Sequence, residues 1–578
     1  MRRFIPATVL IGCTASIAAA ASPPLAGAPT LFVHGHIYTA DPAHPWVEAL
    51  AVDGARVTAV GSSKDLLVRR SRRTRIVDLG GKTVIPGIVD AHVHMLFGSM
   101  EIAGFNLATP ERSLTPAQPE ALVAAIKAYA VGHPEERILI GRADFSSEPP
   151  AAPTHALPDR AVSDRPVVIH NSTEHSLWLN AKALALAGIN DEPIADPDEE
   201  RYIIRDASGH PSGVLLEAAQ EIIERAVLRE LTTPEKLDLL KAGAKYLNRY
   251  GITSVVNATG DLAEIELYGM LRDRGELTVR TRTAFGSVAV QHRLTPQFLA
   301  DLENARSRFH DEWVSANLVK FFADGSTGLA PPLVYHAADY RRLVLELDRR
   351  GYQIMTHAER GDSVHMVLDA YAKAVAANGA RDRRLRIEHD FIVSDEDAAQ
   401  YVRLPVVAGV QPAFCCQEFG TNYDPADPTP ADRWHTLLAS GVVLAFGSDW
   451  PCLWPPDPFV NMQQAVTRQV WQSPDTAGIE TAPLDGANQS GARPVVGKIY
   501  HPEERISVQQ AVDAYTRGSA YSQFAEGRVG ALMPGRLADL AVLSQDLFSV
   551  QPQDIANTRV LMTMVGGRIV YDEREAGH

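Results

Sequence analysis

The chain has 578 residues, 46% of them hydrophobic and 22% charged, which is enough apolar material for a large barrel plus a smaller domain. Asp and Glu outnumber Lys and Arg by 70 to 55, for a formal net charge of −15, and this excess argues against nucleic acid as a partner because phosphate binding depends on Lys and Arg. Gly and Pro are spread along the chain without a fixed period, which argues against a repeat architecture.

In chain order, Arg2 and Arg3 precede a mostly apolar run from Phe4 to Ile17 and the small residues Ala18 to Ala21. This pattern reads as a signal peptide over residues 1–21, hence an exported, periplasmic or secreted bacterial protein. An alternative reading takes Leu10, Ile11, Gly12 and Cys13 as a lipobox, with Cys13 lipidated and the protein anchored to a membrane face. No later stretch has the roughly 18 consecutive apolar residues of a spanning helix, so a soluble mature chain is expected. Cys415, Cys416 and Cys452 read as small core residues, being too few and too adjacent for a disulfide framework.

Residues 22–85 carry short alternating runs, Leu31 to Tyr38, Ala49 to Val52, Arg56 to Val60 and Arg75 to Asp78, broken at Asp53, Gly54 and Gly61. Residues 526–578 have the same texture, with runs at Ala538 to Leu543, Val560 to Val565 and Arg568 to Tyr571 and a hairpin turn at Gly566 and Gly567. Each piece is too small for a core of its own. The two ends are therefore expected to pair into one β-sandwich domain, with residues 86–525 inserted between them.

That central part opens with PGIVDAHVH. Thr83, Val84, Ile85, Ile88 and Val89 read as one buried strand ending in His92 and His94, which at period 2 leave on the same face and can converge on one metal ion. Residues 99–250 follow as a long insertion or lid after this strand. Further strands are expected at Ile252 to Asn257, Thr278 to Phe285, Leu318 to Ala323, Tyr352 to His357, Leu385 to His389, Val406 to Gln411 and Val442 to Asp449, alternating with helical patterns. With the first, these eight predict a TIM-type (β/α)8 barrel of the α/β class, whose reactive groups lie at the C-terminal strand ends. Lys320, His357, His389 and Asp449 all fall near such ends, and together with the first histidine pair they point to a metal site.

These features resemble the metal-dependent amidohydrolase superfamily, and more narrowly the amidohydrolase-3 branch that contains N-substituted formamide deformylases and YtcJ-like proteins. The resemblance extends to HSLWLNAKAL at 175–184, SGHPSGVLLEAA at 208–219, AYTRGSAY at 514–521 and GALMPGRLADLAVL at 530–543. It implies that His92, His94 and Asp449 hold one divalent metal ion, zinc being expected, and that His357 and His389 hold a second. Lys320 would then bridge the two as a carbamate, since an ammonium group has no lone pair to offer. If Lys320 instead pairs with Asp324, a single ion becomes the expectation, with His357 or His389 polarising the carbonyl. Asp449 is the expected general base and acid, acting with a metal-activated water.

The same resemblance brings His175 and Asn180 toward the substrate, and Phe97, Phe414, Trp450 and Trp454 follow strands 1, 7 and 8 as candidates to line an apolar pocket. Relatives commonly read H-A-x-G-D after strand 5, whereas this chain has one residue more, His357-Ala358-Glu359-Arg360-Gly361-Asp362, so that Glu359 or Arg360 is directed at the substrate. The expected activity is hydrolysis of a carbon–nitrogen bond in a small-molecule amide, an N-substituted formamide or N-acyl amine with an apolar substituent. The alternatives are a cyclic amide, carbamate or ester substrate at the same site, or a metal-binding or regulatory protein on this fold. Relatives often dimerise, which makes a homo-oligomer the expectation, although no interface signal stands out in the chain.

Overall fold

A computed structural model describes residues 29–109, 112–113, 116, 118–146, 152–171, 175–286, 294–325, 333–414, 431–469 and 499–576. The expected signal peptide with Cys13, and the pair Cys415 and Cys416, lie outside the described residues. Eight parallel strands run in chain order around one sheet: Ile88–Val93, Ile252–Asn257, Arg280–Phe285, Val314–Phe322, Gln353–Ala358, Leu385–His389, Val406–Val410 and Val443–Phe446. They are called strands 1 to 8 below. All but a few of their residues are buried, as expected for strands covered on both faces.

The ring is drawn shut just past strand 8. Asp449 N donates to His92 O at 2.7 Å, and His94 N donates to Trp450 O at 2.7 Å. Gly447 permits this approach, because a Cβ there would stand 2.6 Å from His92 N. Amphipathic helices cover the outside; Ala337–Arg349, for instance, buries Tyr340, Leu343, Val344 and Leu347 along one face.

The two chain ends share one layer pair. In the six-stranded sheet, Leu540–Leu543 lies between Val560–Val565 and Thr83–Pro86, and Thr83–Pro86 pairs in parallel with His36–Tyr38. The four-stranded sheet orders Arg56–Gly61, Ala49–Asp53, Thr30–Val33 and Arg75–Asp78. Phe32, Leu50 and Val57 from the smaller sheet pack with Ile37, Val84, Leu540 and Met562 from the larger.

Two expected strands prove to be divided. The run from Thr83 to Val89 is two strands, one in the end domain and one in the barrel, separated at Gly87, where a Cβ would strike the Thr253 side chain at 2.4 Å. The run from Leu31 to Tyr38 is split between the two sheets of the end domain at His34, whose φ is 53°, and Gly35. Apolar patterning reports burial but not a change of sheet.

The insertion after strand 1 has a sheet of its own, ordered Ile203–Arg205, Pro211–Leu216, Ser176–Leu179, Val167–Asn171, Leu139–Ala143 and Phe105–Asn106. Its core contains Leu122, Ile126, Val168, Trp178 and Leu215. Thr233–Asn248, opened by a capping box at Thr232, packs back on Met95–Ala103 and returns the chain to the barrel. No helix among the described residues is long and apolar enough to cross a membrane.

Candidate metal centre

Two groups of potential ligands meet at the C-terminal mouth of the barrel: His92, His94 and Asp449, and His357, Glu359 and His389. Within each group, one ligand atom per residue lies within 4.8 Å of the others. In the first, Asp449 Oδ1 is 3.1 Å from His94 Nε2 and 3.4 Å from His92 Nε2. In the second, Glu359 Oε1 is 3.8 Å from His357 Nε2.

The imidazoles are aimed from behind. His92 Nδ1 is 2.7 Å from Glu388 Oε2, His94 Nδ1 is 2.8 Å from Thr259 Oγ1, and His389 Nδ1 is 2.8 Å from Gln411 Oε1. A carboxylate or amide oxygen at Nδ1 makes that nitrogen the donor, which leaves the Nε2 lone pair of His92 and of His389 for the site. Glu388 is fixed by Arg386 of the same strand, whose Nε and Nη2 donate to its two oxygens at 2.7 and 2.8 Å, all within the barrel interior.

Charge and burial suit a cation. Burial, reinforced by the Lys320 charge, pushes His92 down to about 4 and holds His357 well below its usual range. Burial and the neighbouring His357 do the same to His389. All three are neutral at pH 7 and able to donate a lone pair. Burial opposes the charge of Asp449, but His92, His94 and His389 hold its carboxyl well below the ordinary range.

Asp449 Oδ1 and His357 Nε2 are buried without a hydrogen-bond partner, despite their close neighbours. Such atoms need a partner, and a divalent ion fits a donor set of imidazole nitrogens and carboxylate oxygens. The backbone is consistent with a functional site as well. His389 at φ 74° and Asp449 at φ 56° occupy the left-handed region, at a cost of order 1–3 kcal/mol each.

Lys320 is buried, with Nζ 3.2 Å from His92 Nε2 and 4.4 Å from the centre of the Phe322 ring, and burial pushes its ammonium group down to about 8. The alternative pairing with Asp324 is not what the fold builds. The Asp324 carboxylate accepts from Glu359 N at 3.0 Å, Arg360 N at 2.9 Å and Ser363 Oγ at 2.5 Å, and its Oδ1 faces His357 Nε2 at 3.2 Å.

From the insertion, His175 reaches the same mouth, its ring centre 6.4 Å from that of His357. Its Nδ1 is 3.1 Å from Glu217 Oε2; burial disfavours its charge, but Glu217, with smaller contributions from Glu359 and Asp449, pushes it up to about 9. Glu217 has a φ of 39°, a second sign that this pair is held deliberately. Neither the pairing of Glu217 with His175 nor the closeness of Glu359 to His357 and His389 is apparent from the sequence. A signal for Glu359 in the sequence is its spacing of two from His357 at the end of a strand-like run.

Asn180 is not a pocket residue. Its Oδ1 accepts from Val167 N and Ala183 N, its Nδ2 donates to Val162 O and Arg165 O, and it caps Ala181–Ala187. Trp450 is likewise a packing residue: it is fully buried, lies against Gly98 and stands 6.0 Å from the Tyr246 ring, which in turn is 5.7 Å from Trp454. Phe97 is half-buried against the core of the insertion, and Phe414 is half-buried in the turn after strand 7.

Comparison with known proteins adds the following. Residues 75–571 match the model of the Amidohydrolase family. The chain is 28% identical over 579 residues to the Arabidopsis thaliana protein LONG AFTER FAR-RED 3, covering 94% of this chain and 91% of that one. It is 26% identical over 560 residues to the putative amidohydrolase YtcJ of Bacillus subtilis, covering 93% and 98%. It is 24% identical over 579 residues to the N-substituted formamide deformylase of Arthrobacter pascens, covering 94% and 98%. Among solved structures, an uncharacterized metal-dependent hydrolase from Pyrococcus horikoshii shares the fold with a TM-score of 0.67 at 22% identity, over 91% of this chain and 99% of that one.

Proposed function

The chain belongs to the amidohydrolase family, in its YtcJ-like branch, and from that premise we propose that it is a metal-dependent hydrolase of carbon–nitrogen bonds acting on an N-substituted formamide or a related N-acyl amine. The observation that carries this reading is the pair of histidine and carboxylate groups at the barrel mouth, with an orphaned buried atom in each. His92, His94 and Asp449 would hold one zinc ion, and His357 and His389 a second, with Lys320 bridging as its carbamate. A divalent ion held there acidifies water and polarises a carbonyl oxygen.

The protein's own groups account for the remaining steps. Asp449 takes the proton of the attacking water and delivers it to the departing nitrogen, so that water adds to the carbonyl carbon and the C–N bond breaks to give an acid and an amine. Its depressed pKa keeps it ionised at neutral pH, so that the carboxylate form is the one facing the site. His175, held charged by Glu217, donates a hydrogen bond to the substrate. The choice of a formamide draws on the name of the Arthrobacter relative, and export on the N-terminal pattern of residues 1–21.

The test is amine release from a panel of N-substituted formamides, longer N-acyl amines, cyclic amides and esters. Hydrolysis should be fastest on a formamide, vanish with a chelator and return on adding zinc. Release that is insensitive to the chelator, or absent from every amide with metal-loaded protein, would contradict the proposal.

A further inference from the structure

We propose that Glu359 is itself a ligand of the second cation, so that His357, Glu359 and His389 form a two-histidine, one-carboxylate site that mirrors His92, His94 and Asp449. This rests on the reading that the mouth of the barrel binds divalent ions, and goes beyond it by adding a ligand in the turn after strand 5.

Three observations converge on Glu359. It is buried at 9% exposure, and its carboxylate belongs to the second ligand group, 3.8 Å from His357 Nε2. Its main chain is pinned: Glu359 N donates to Asp324, Ile392 N donates to Glu359 O at 3.1 Å, and the next residue, Arg360, also donates its N–H to Asp324. The sequence supplies the reason it lies there. His357-Ala358-Glu359 puts two donors at positions i and i+2 where strand 5 ends, as His92-Val93-His94 does at strand 1, so both side chains emerge on one side of the extended backbone. The helix Gly361–Asn378 begins only after Glu359, with Arg360 at its N-cap, so Glu359 lies between strand and helix.

Charge favours the same assignment. Two neutral imidazoles bring no charge to a buried dication, and a bridging carbamate would be shared with the first ion, whereas a carboxylate of its own lowers the local charge by one, as Asp449 does in the first group. Imidazole nitrogen with carboxylate oxygen is also a donor set that zinc accepts, with a position left open for substrate. Lys320 as a carbamate would add to this set without replacing it.

The experiment is metal titration of the full chain, reading zinc affinity by competition with a chromophoric chelator and the visible spectrum of the cobalt-loaded protein. The wild type is expected to take two ions. Glu359→Gln should keep the first at unchanged affinity and bind the second at least as much more weakly as the ~10–100-fold that loss of a supporting partner costs, with an altered cobalt spectrum. Glu359→Ala, which removes the side chain outright, should do the same if the Gln variant folds poorly. Two ions with unchanged affinity and spectrum in either folded variant would overturn the assignment and leave Glu359 a role toward the substrate or His175; so would a wild type that takes one ion only. A wild type that takes none would overturn the proposed function itself, and is recognised in the first titration before any variant is made.

Discussion

Asp449→Asn is expected to lower kcat by about three orders of magnitude, within the range found for removal of a general acid–base group, and to leave the fold intact. The substitution is nearly isosteric, and Asn tolerates the left-handed backbone that Asp449 adopts at φ 56°. The hydrogen bond from Asp449 N to His92 O, which helps close the barrel, is a main-chain bond and survives. What is lost is the carboxylate charge, and with it both the basic oxygen and part of the attraction for a cation. Steady-state kinetics on the best amide substrate, with a thermal melt alongside, would check this. A folded variant that retains more than a tenth of the wild-type rate would remove Asp449 from the role of base.

Arg386→Leu should have the largest effect on stability. Arg386 and Glu388 are both fully buried, paired through two hydrogen bonds, and Arg386 also donates to Ala91 O at 2.8 Å. Taking away one partner leaves a buried carboxylate uncompensated, which costs ~3–5 kcal/mol. The sign with pH follows. In the wild type, burial tends to raise the Glu388 carboxyl, but Arg386 and His92 hold it well below the usual range, so its contribution is present at neutral pH and is lost only as pH falls through that depressed value. Without Arg386, burial prevails and the carboxyl titrates above the usual range. The variant is then penalised most at high pH and recovers as acid neutralises Glu388. Melting curves of both proteins at pH 8 and pH 5.5 should show the gap narrowing at the lower pH; a gap that is small and constant would mean the pair is not the support of His92 described here.

Much of this molecule is legible in its sequence because barrel strands announce themselves as apolar runs and ligands fall at their ends. His92 and His94 could be placed on one face by period alone, and His357, His389 and Asp449 by their positions at the ends of strand-like runs. What was hidden has physical causes. One apolar run divides between two sheets at Gly87, where any side chain would strike Thr253, 166 positions away, and no local pattern contains that neighbour. The insertion was visible as excess length, but its six-stranded sheet was not, since Val167–Asn171 and Leu139–Ala143 are short buried strands that resemble barrel strands. Asn180 is expected near substrate through resemblance, yet its four side-chain hydrogen bonds all go to main-chain groups. Arg386 and Glu388 lie at i and i+2 in a strand, a spacing that says they share a face without saying that the face is the barrel interior.

The measurement that bears most directly on the account is metal content per chain, by elemental analysis of the purified protein before and after incubation with zinc and bicarbonate. The two ligand groups predict two ions per chain after loading. No bound ion in folded protein, even with zinc in excess, would contradict a metal centre at the barrel mouth and the hydrolase built on it.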